Sequence, residues 1–185
     1  MIIRKATVHD AEPIAACLLL AMEDIVYRFI GERDPEKAKA FLLHFAEQEN
    51  NQYSFRNCWV AEADGEVVAA VNIYDGAQLH ALRQPVLDYL ETRFARHLEP
   101  EDETGAGEIY IDSLGVRPEH QGRGRGTGLL QFLVYEYVQR QKAVLGLLVD
   151  PENPGARRLY LKLGFRPAGT KQLLGKRLEH LQCKS

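Results

Sequence analysis

The chain has 185 residues, enough for one domain with a sizeable core. Hydrophobic residues at 45% and charged residues at 26% fit an ordinary globular protein, and a net charge of −3 argues against the basic face that nonspecific DNA or RNA binding needs. Cys17, Cys58 and Cys183 are odd in number, far apart and without Cys/His ligand spacing, so neither a disulfide framework nor a metal site is expected.

Met1–Ala6 reads as a short strand closed by the polar turn Thr7-Val8-His9-Asp10. Asp10 has the chemistry of an N-cap for a helix from Ala11, with Pro13 in its first turn and Ile14, Cys17, Leu18 and Ala21 at helical spacing. Arg4 and Lys5 ahead of the apolar run Ile14–Met22 imitate a signal peptide. The acidic flanks Asp10, Glu12, Glu23 and Asp24 instead mark an amphipathic helix. With no apolar run of bilayer length, a cytoplasmic protein without membrane partners is expected.

A second helix over Pro35–Gln48 carries the stripe Ala38, Phe41, Leu42 and Phe45. Asn57–Ala61 and Val67–Ile73 form a hairpin around Ala63-Asp64-Gly65, since Asp-Gly supplies the positive φ angles of a tight turn. Ala77–Leu98 looks helical and Glu99–Gly107 is an acidic loop, so residues 76–107 read as an insertion within the domain. Leu82, Val86, Leu87, Leu90 and Phe94 are its apolar stripe, with Arg83, Arg93 and Arg96 as charges. This insertion is expected to cover an acceptor site, with Glu99, Glu101, Asp102 and Glu103 attracting a cation; the competing reading is a solvated loop.

Glu108–Val116 is the next strand and Gly124–Arg140 the next helix, then Val144–Val149 as an interior strand. Asn153-Pro154 opens a helix with the stripe Ala156, Leu159, Tyr160 and Leu163, ended by Gly164. Two short strands near Phe165–Thr170 and Lys176–Leu181 follow. The predicted fold is therefore a single α/β domain over residues 1–185, with a mixed sheet flanked by helices on both faces.

Between strand and helix stands Gln121-Gly122-Arg123-Gly124-Arg125-Gly126-Thr127. Residues without Cβ allow close approach of the backbone to a ligand, and the N–H groups at a helix start are unpaired at its positive end. That combination suits phosphate, and Arg123 and Arg125 add charge. A phosphate loop of the Lys-Ser/Thr type fails because Thr127-Gly128 follows Gly126, and a dinucleotide GxGxxG fails in every register.

Gln121, Gly124 and Gly126 do satisfy Gln/Arg-x-x-Gly-x-Gly/Ala. With Leu114-Gly115-Val116-Arg117-Pro118 before it and Asn153-x-x-Ala156-x-x-x-Tyr160-x-x-x-Gly164-Phe165 after it, the sequence resembles the GNAT N-acetyltransferase superfamily over Glu108–Phe165. The resemblance implies acetyl-CoA as cosubstrate without a metal, a primary amine of a small molecule or protein as acceptor, direct attack, and possible homodimers. The alternative is a CoA-binding module without turnover.

By that resemblance, Leu114 and Val116, with Gly115 between them, pair with the pantetheine arm. A strand bulge aims the Leu114 N–H at the thioester carbonyl, where it stabilises an oxyanion. Gln121 to Thr127 take the pyrophosphate. Asn153 is an N-cap, a cofactor contact, or both. Tyr160 is either a core tyrosine or the acid that protonates the leaving thiolate. One branch of the family has a glutamate base where this chain has Tyr110. Asp112 and Glu108 are the carboxylates of the same strand parity, with Asp112 preferred as base over a structural role.

Overall fold

The computed structural model describes all of residues 1–185. Seven strands form one mixed sheet: β1 (Ile2–Lys5), β2 (Cys58–Ala63), β3 (Glu66–Asp75), β4 (Ile109–Val116), β5 (Leu145–Val149), β6 (Arg166–Leu173) and β7 (Lys176–Cys183). Their spatial order is β1-β2-β3-β4-β5-β7-β6, and only β4 and β5 pair in parallel. The β2–β3 turn places Asp64 and Gly65 at φ 54° and 80°, as the Asp-Gly signal requires. Leu174 and Gly175, at φ 48° and 79°, close a second such hairpin. It extends β6 and β7 beyond the two short strands expected from sequence.

Helices α1 (Ala11–Ile30), α2 (Pro35–Ala46) and α3 (Leu79–Phe94) cover one face, while α4 (Arg125–Leu133) and α5 (Pro154–Lys162) cover the other. The first layer is a core of 23 buried residues around Ile14, Leu18, Phe41 and Leu42. The second joins Leu129, Leu130 and Leu133 of α4 to Ile111, Leu145 and Leu147 of the sheet. The α5 stripe Ala156, Leu159, Tyr160 and Leu163 packs at its margin, as its spacing predicts.

Local chemistry departs from the sequence reading in four places. Asp10 does not cap α1; its carboxylate accepts from Arg4 at 2.8 and 2.9 Å and from the Thr7 N–H at 2.8 Å, tying β1 to the turn. Helix α1 breaks its own geometry at Met22, with φ −133° and ψ 26°. α3 ends at Phe94 because Ala95 turns left-handed, and Arg83 on it is buried instead of lying on a charged face. The helix expected to run to Arg140 is α-helical only to Leu133 and continues as π turns over Val134–Arg140, carrying the Tyr137 hydroxyl to within 3.0 Å of Trp59 Nε1.

Candidate active site

The sheet opens at its centre. β5 accompanies β4 only from Ile109 to Ile111, and beyond that β4 is paired with β3 alone. The register between β3 and β4 slips at this point: Ile111 faces Ile73 and Ser113 faces Asn72, so Asp112 is the extra residue of a β-bulge. Its consequence can be followed atom by atom. Arg117 N–H donates to Val68 O at 2.9 Å. In an antiparallel ladder bonded pairs recur at every second residue, so Gly115 and Ser113 also bond β3. Leu114 and Val116 turn their N–H and C=O groups the other way, into the gap that β5 leaves. An extended chain can add itself to that edge.

The bulge also corrects the parity assumed from sequence. Asp112 and Ser113 both address the α1 face, where Asp112 bonds Tyr74 and the Ser113 hydroxyl lies 3.8 Å from Met22 Sδ. Leu114 and Val116 then fall on the α4 face, 3.4 and 3.2 Å from where a Cβ on Gly126 would stand. Strict alternation would have put Leu114 and Asp112 on one side. Gly115 faces α1, and a Cβ there would collide with the Cys17 carbonyl. Its lack of a side chain serves helix-to-sheet packing. Gly115→Ala is expected to destabilise the fold by about 1–3 kcal/mol through overpacking, read as a lowered unfolding midpoint in denaturant.

The glycine turn lies where the open edge ends. Gly122 and Gly124 sit at φ 72° and 73°, and Gly124 is the N-cap residue of α4, which has no side-chain cap. The first bond of that helix runs from Gly128 N–H to Gly124 O at 2.9 Å. The N–H groups of Arg125, Gly126 and Thr127 are therefore left for a ligand at the positive end of the helix. Arg125 is half-buried and its Nε has no protein partner, while Arg123 is exposed. The Gln121 side-chain amide donates to Val116 O at 3.0 Å and fastens the turn to the strand. Together the cradle and the open edge fit a diphosphate with an extended arm.

From the edge a cleft of about 550 Å³ continues between the kink of α1, the bulge and α5. Leu114, Asn153, Ala156 and Tyr160 line one side and Met22, Asp112 and Glu103 the other. Asn153 Oδ1 accepts the Ala156 N–H at 3.1 Å, so the capping role is real, and its amide nitrogen is left without a bond. Tyr160 stands edge-on to Phe165, with ring centroids 5.8 Å apart. Burial alone raises its pKa, so its phenol is in the proton-bearing form at neutral pH.

Asp112 is the cleft carboxylate, and it has company that sequence reasoning missed. Its Oδ2 accepts from Gln52 Nε2 and from the Tyr74 hydroxyl, each at 2.9 Å. The same Gln52 amide donates to Glu103 Oε1 at 2.8 Å, and Arg83 Nη2 donates to that oxygen at 3.2 Å. Burial is the largest cause that pushes both carboxyls upward, and the Asp112 charge raises Glu103 further. Glu108, the other carboxylate of the strand, lies outside the cleft lining. It is buried against Thr104, His180 and Gln182 at 2.7, 2.8 and 2.7 Å, which pins the loop to β7. Of the acidic loop, only Glu103 lines the cleft; Glu101 accepts the Leu174 N–H and Asp102 meets His80.

The sequence model of the acetyltransferase (GNAT) family matches residues 20–165, which takes in the second half of α1, the bulged strand, the glycine turn and α5. The chain belongs to that GNAT family. Across its whole length it is similar to a solved structure described as an acetyltransferase, 28% identical with a TM-score of 0.80, covering 100% of this chain and 99% of that one. It shares the fold of an N-acetyltransferase from Staphylococcus aureus Mu50, at 20% identity and a TM-score of 0.83, over 98% and 100% of the two chains. Among curated proteins it resembles the mycothiol acetyltransferase of Tsukamurella paurometabola, 39% identical over 62 residues. That match takes in 34% of this chain and 20% of the relative, so the GNAT chain described here spans only a fifth of that protein. No helix is long and apolar enough to cross a membrane.

Proposed function

We propose that this GNAT protein transfers the acetyl group of acetyl-CoA to a primary amine by direct attack. The observation that carries the reading is the edge of β4 at Leu114 and Val116, which β5 leaves without a strand partner. It connects an anion cradle at one end to a cleft holding a carboxylate and a phenol at the other. Acetyl-CoA is the ligand whose parts fall in that order: diphosphate at Arg125–Thr127, pantetheine along Leu114 and Val116, thioester between Asp112 and Tyr160.

Each group then has a task. The Leu114 N–H points into the gap, where it would stabilise negative charge growing on the thioester oxygen. Asp112 takes a proton from the incoming ammonium, whose pKa in water is about 10.4 and which cannot attack while protonated. Tyr160 gives its proton to the sulfur as the C–S bond breaks. All three cysteines are buried, and none lines this cleft, so no thiol is placed to carry the acetyl group and direct attack is favoured. The test is release of free CoA from acetyl-CoA across a panel of amines. Release that depends on both protein and amine supports transferase activity, whereas tight binding without release would favour a CoA-binding module.

A further inference from the structure

The insertion between β3 and β4 delivers one side chain into the cleft, Glu103, and the molecule spends considerable structure on holding it there. Arg83, buried on α3, donates to the carbonyls of Pro100 and Glu101 as well as to Glu103, all at 3.2 Å. Thr104, the next residue, is bound to Glu108, and Lys171 and Leu174 of the β6–β7 hairpin bond Asp102 and Glu101. The backbone on either side of Glu103 is thus fixed from α3, β4 and the hairpin. Its carboxylate is in turn joined to Asp112 through the single amide of Gln52. These bonds use Glu103 Oε1 and Asp112 Oδ2, leaving Oε2 and Oδ1 as the acceptors for a ligand.

We propose that Glu103 and Asp112 act as one acceptor-binding pair that holds the substrate ammonium and takes its proton. The proposal deepens the acetyltransferase reading and rests on it. Three observations support it beyond the presence of two carboxylates. Both line the reaction cleft, on the far side from Tyr160. One guanidinium, Arg83, meets the pair at Glu103 and is shared with Asp102 at 3.5 Å, so it does not offset both carboxylates once they ionise and a substrate cation can. And each carboxyl keeps one oxygen without a protein partner, Glu103 Oε2 and Asp112 Oδ1, on the cleft that Tyr160 also lines.

The proton count closes. An ammonium loses two protons on becoming an amide. One passes to the carboxylate pair and from there to solvent, and the other replaces the proton that Tyr160 gives to sulfur. The nitrogen lone pair forms the C–N bond, and the C–S electrons leave on the thiolate that Tyr160 protonates.

The charged and titratable groups nearest the pair are Arg83 from α3, Tyr74 from β3, Tyr110 from β4 and Tyr53 from the segment after α2; the same cleft is also lined by Glu23, Asp24 and Arg28 of α1, Asp150 after β5, Tyr160 of α5 and Lys176 of the hairpin. Burial and the Asp112 charge push Glu103 up to about 7. The pair must lose a proton before it can accept one, so kcat/KM should rise with pH through that region instead of through the ordinary carboxylate range.

The decisive variant is Glu103→Gln, which keeps shape and one acceptor oxygen but removes the charge. We expect KM for the best amine to rise at least tenfold with the calorimetric affinity for acetyl-CoA unchanged. The acid limb of kcat/KM should move to lower pH, because Asp112 loses a like charge. A uniform loss at every pH with the limb in place would reduce Glu103 to a structural residue and overturn the proposal. Should the variant fold poorly, carboxyl 13C titration of the wild-type protein replaces it. Two interdependent midpoints, displaced by phenethylamine, are expected, and independent midpoints in the ordinary range would refute the pair. Absence of CoA release with every amine would instead defeat the transferase reading, while phenethylamine binding by calorimetry would still report on the pair.

Discussion

Gly124→Val is expected to abolish acetyl-CoA binding, weakening it at least a hundredfold in calorimetry, while the protein stays folded. Gly124 holds φ 73° at the entrance to α4, and the N–H groups that follow it are free only because the chain turns there. A β-branched residue disfavours that conformation by about 1–2 kcal/mol and pushes the turn elsewhere. Losing two charge-assisted hydrogen bonds to phosphate, at about 1.5–3 kcal/mol each, accounts for the hundredfold or more. A Cβ at this site meets nothing within 4 Å, so the folded core is not disturbed and the melting temperature should fall by only a few degrees. Unchanged affinity would show that the turn does not hold the phosphates.

Tyr160→Phe is expected to lower kcat by about 10²–10⁴-fold with little change in KM for acetyl-CoA, since general acid catalysis has that magnitude. The ring remains to pack on Phe165, so α5 keeps its place on the sheet. The phenol makes no bond within the protein and is raised above its ordinary pKa by burial alone, as suits a donor that must still carry its proton when sulfur leaves. The measurement is single-turnover acetyl transfer, where product release is not seen. An unaltered rate there would return Tyr160 to a packing role.

The fold was largely legible because its signals are local. Asp64-Gly65 forces a hairpin, Asn153-Pro154 opens a helix, and Gly124 and Gly126 punctuate the strand-to-helix turn. Each acts over a few residues. The positions of Leu114 and Tyr160 in the cleft followed from the two motif segments, whereas Asp112 was chosen on a strand parity that the bulge alters. What sequence could not supply is longer in range. The Asp112 bulge depends on how β3 meets β4, and period-two counting passes over it. Gln52, Tyr74, Arg83 and Glu103 come from a loop, a strand, a helix and another loop, and no spacing ties them together. Arg83 was misjudged for the same reason: a helical arginine is ordinarily solvated, and only the returning loop with Glu103 buries it. The kink at Met22 likewise has no proline or glycine to announce it.

The central claim is that acetyl passes directly from CoA to an amine nitrogen between Asp112 and Tyr160. Rapid-quench analysis with acetyl-labelled acetyl-CoA tests it most directly, following label in the protein, in the best amine of the panel and in acetyl-CoA during the first turnover. The account predicts that label appears in the amide at the rate at which it leaves acetyl-CoA, and never on the protein. Label that first accumulates on a protein side chain, or that stays on bound acetyl-CoA whatever amine is added, would contradict it.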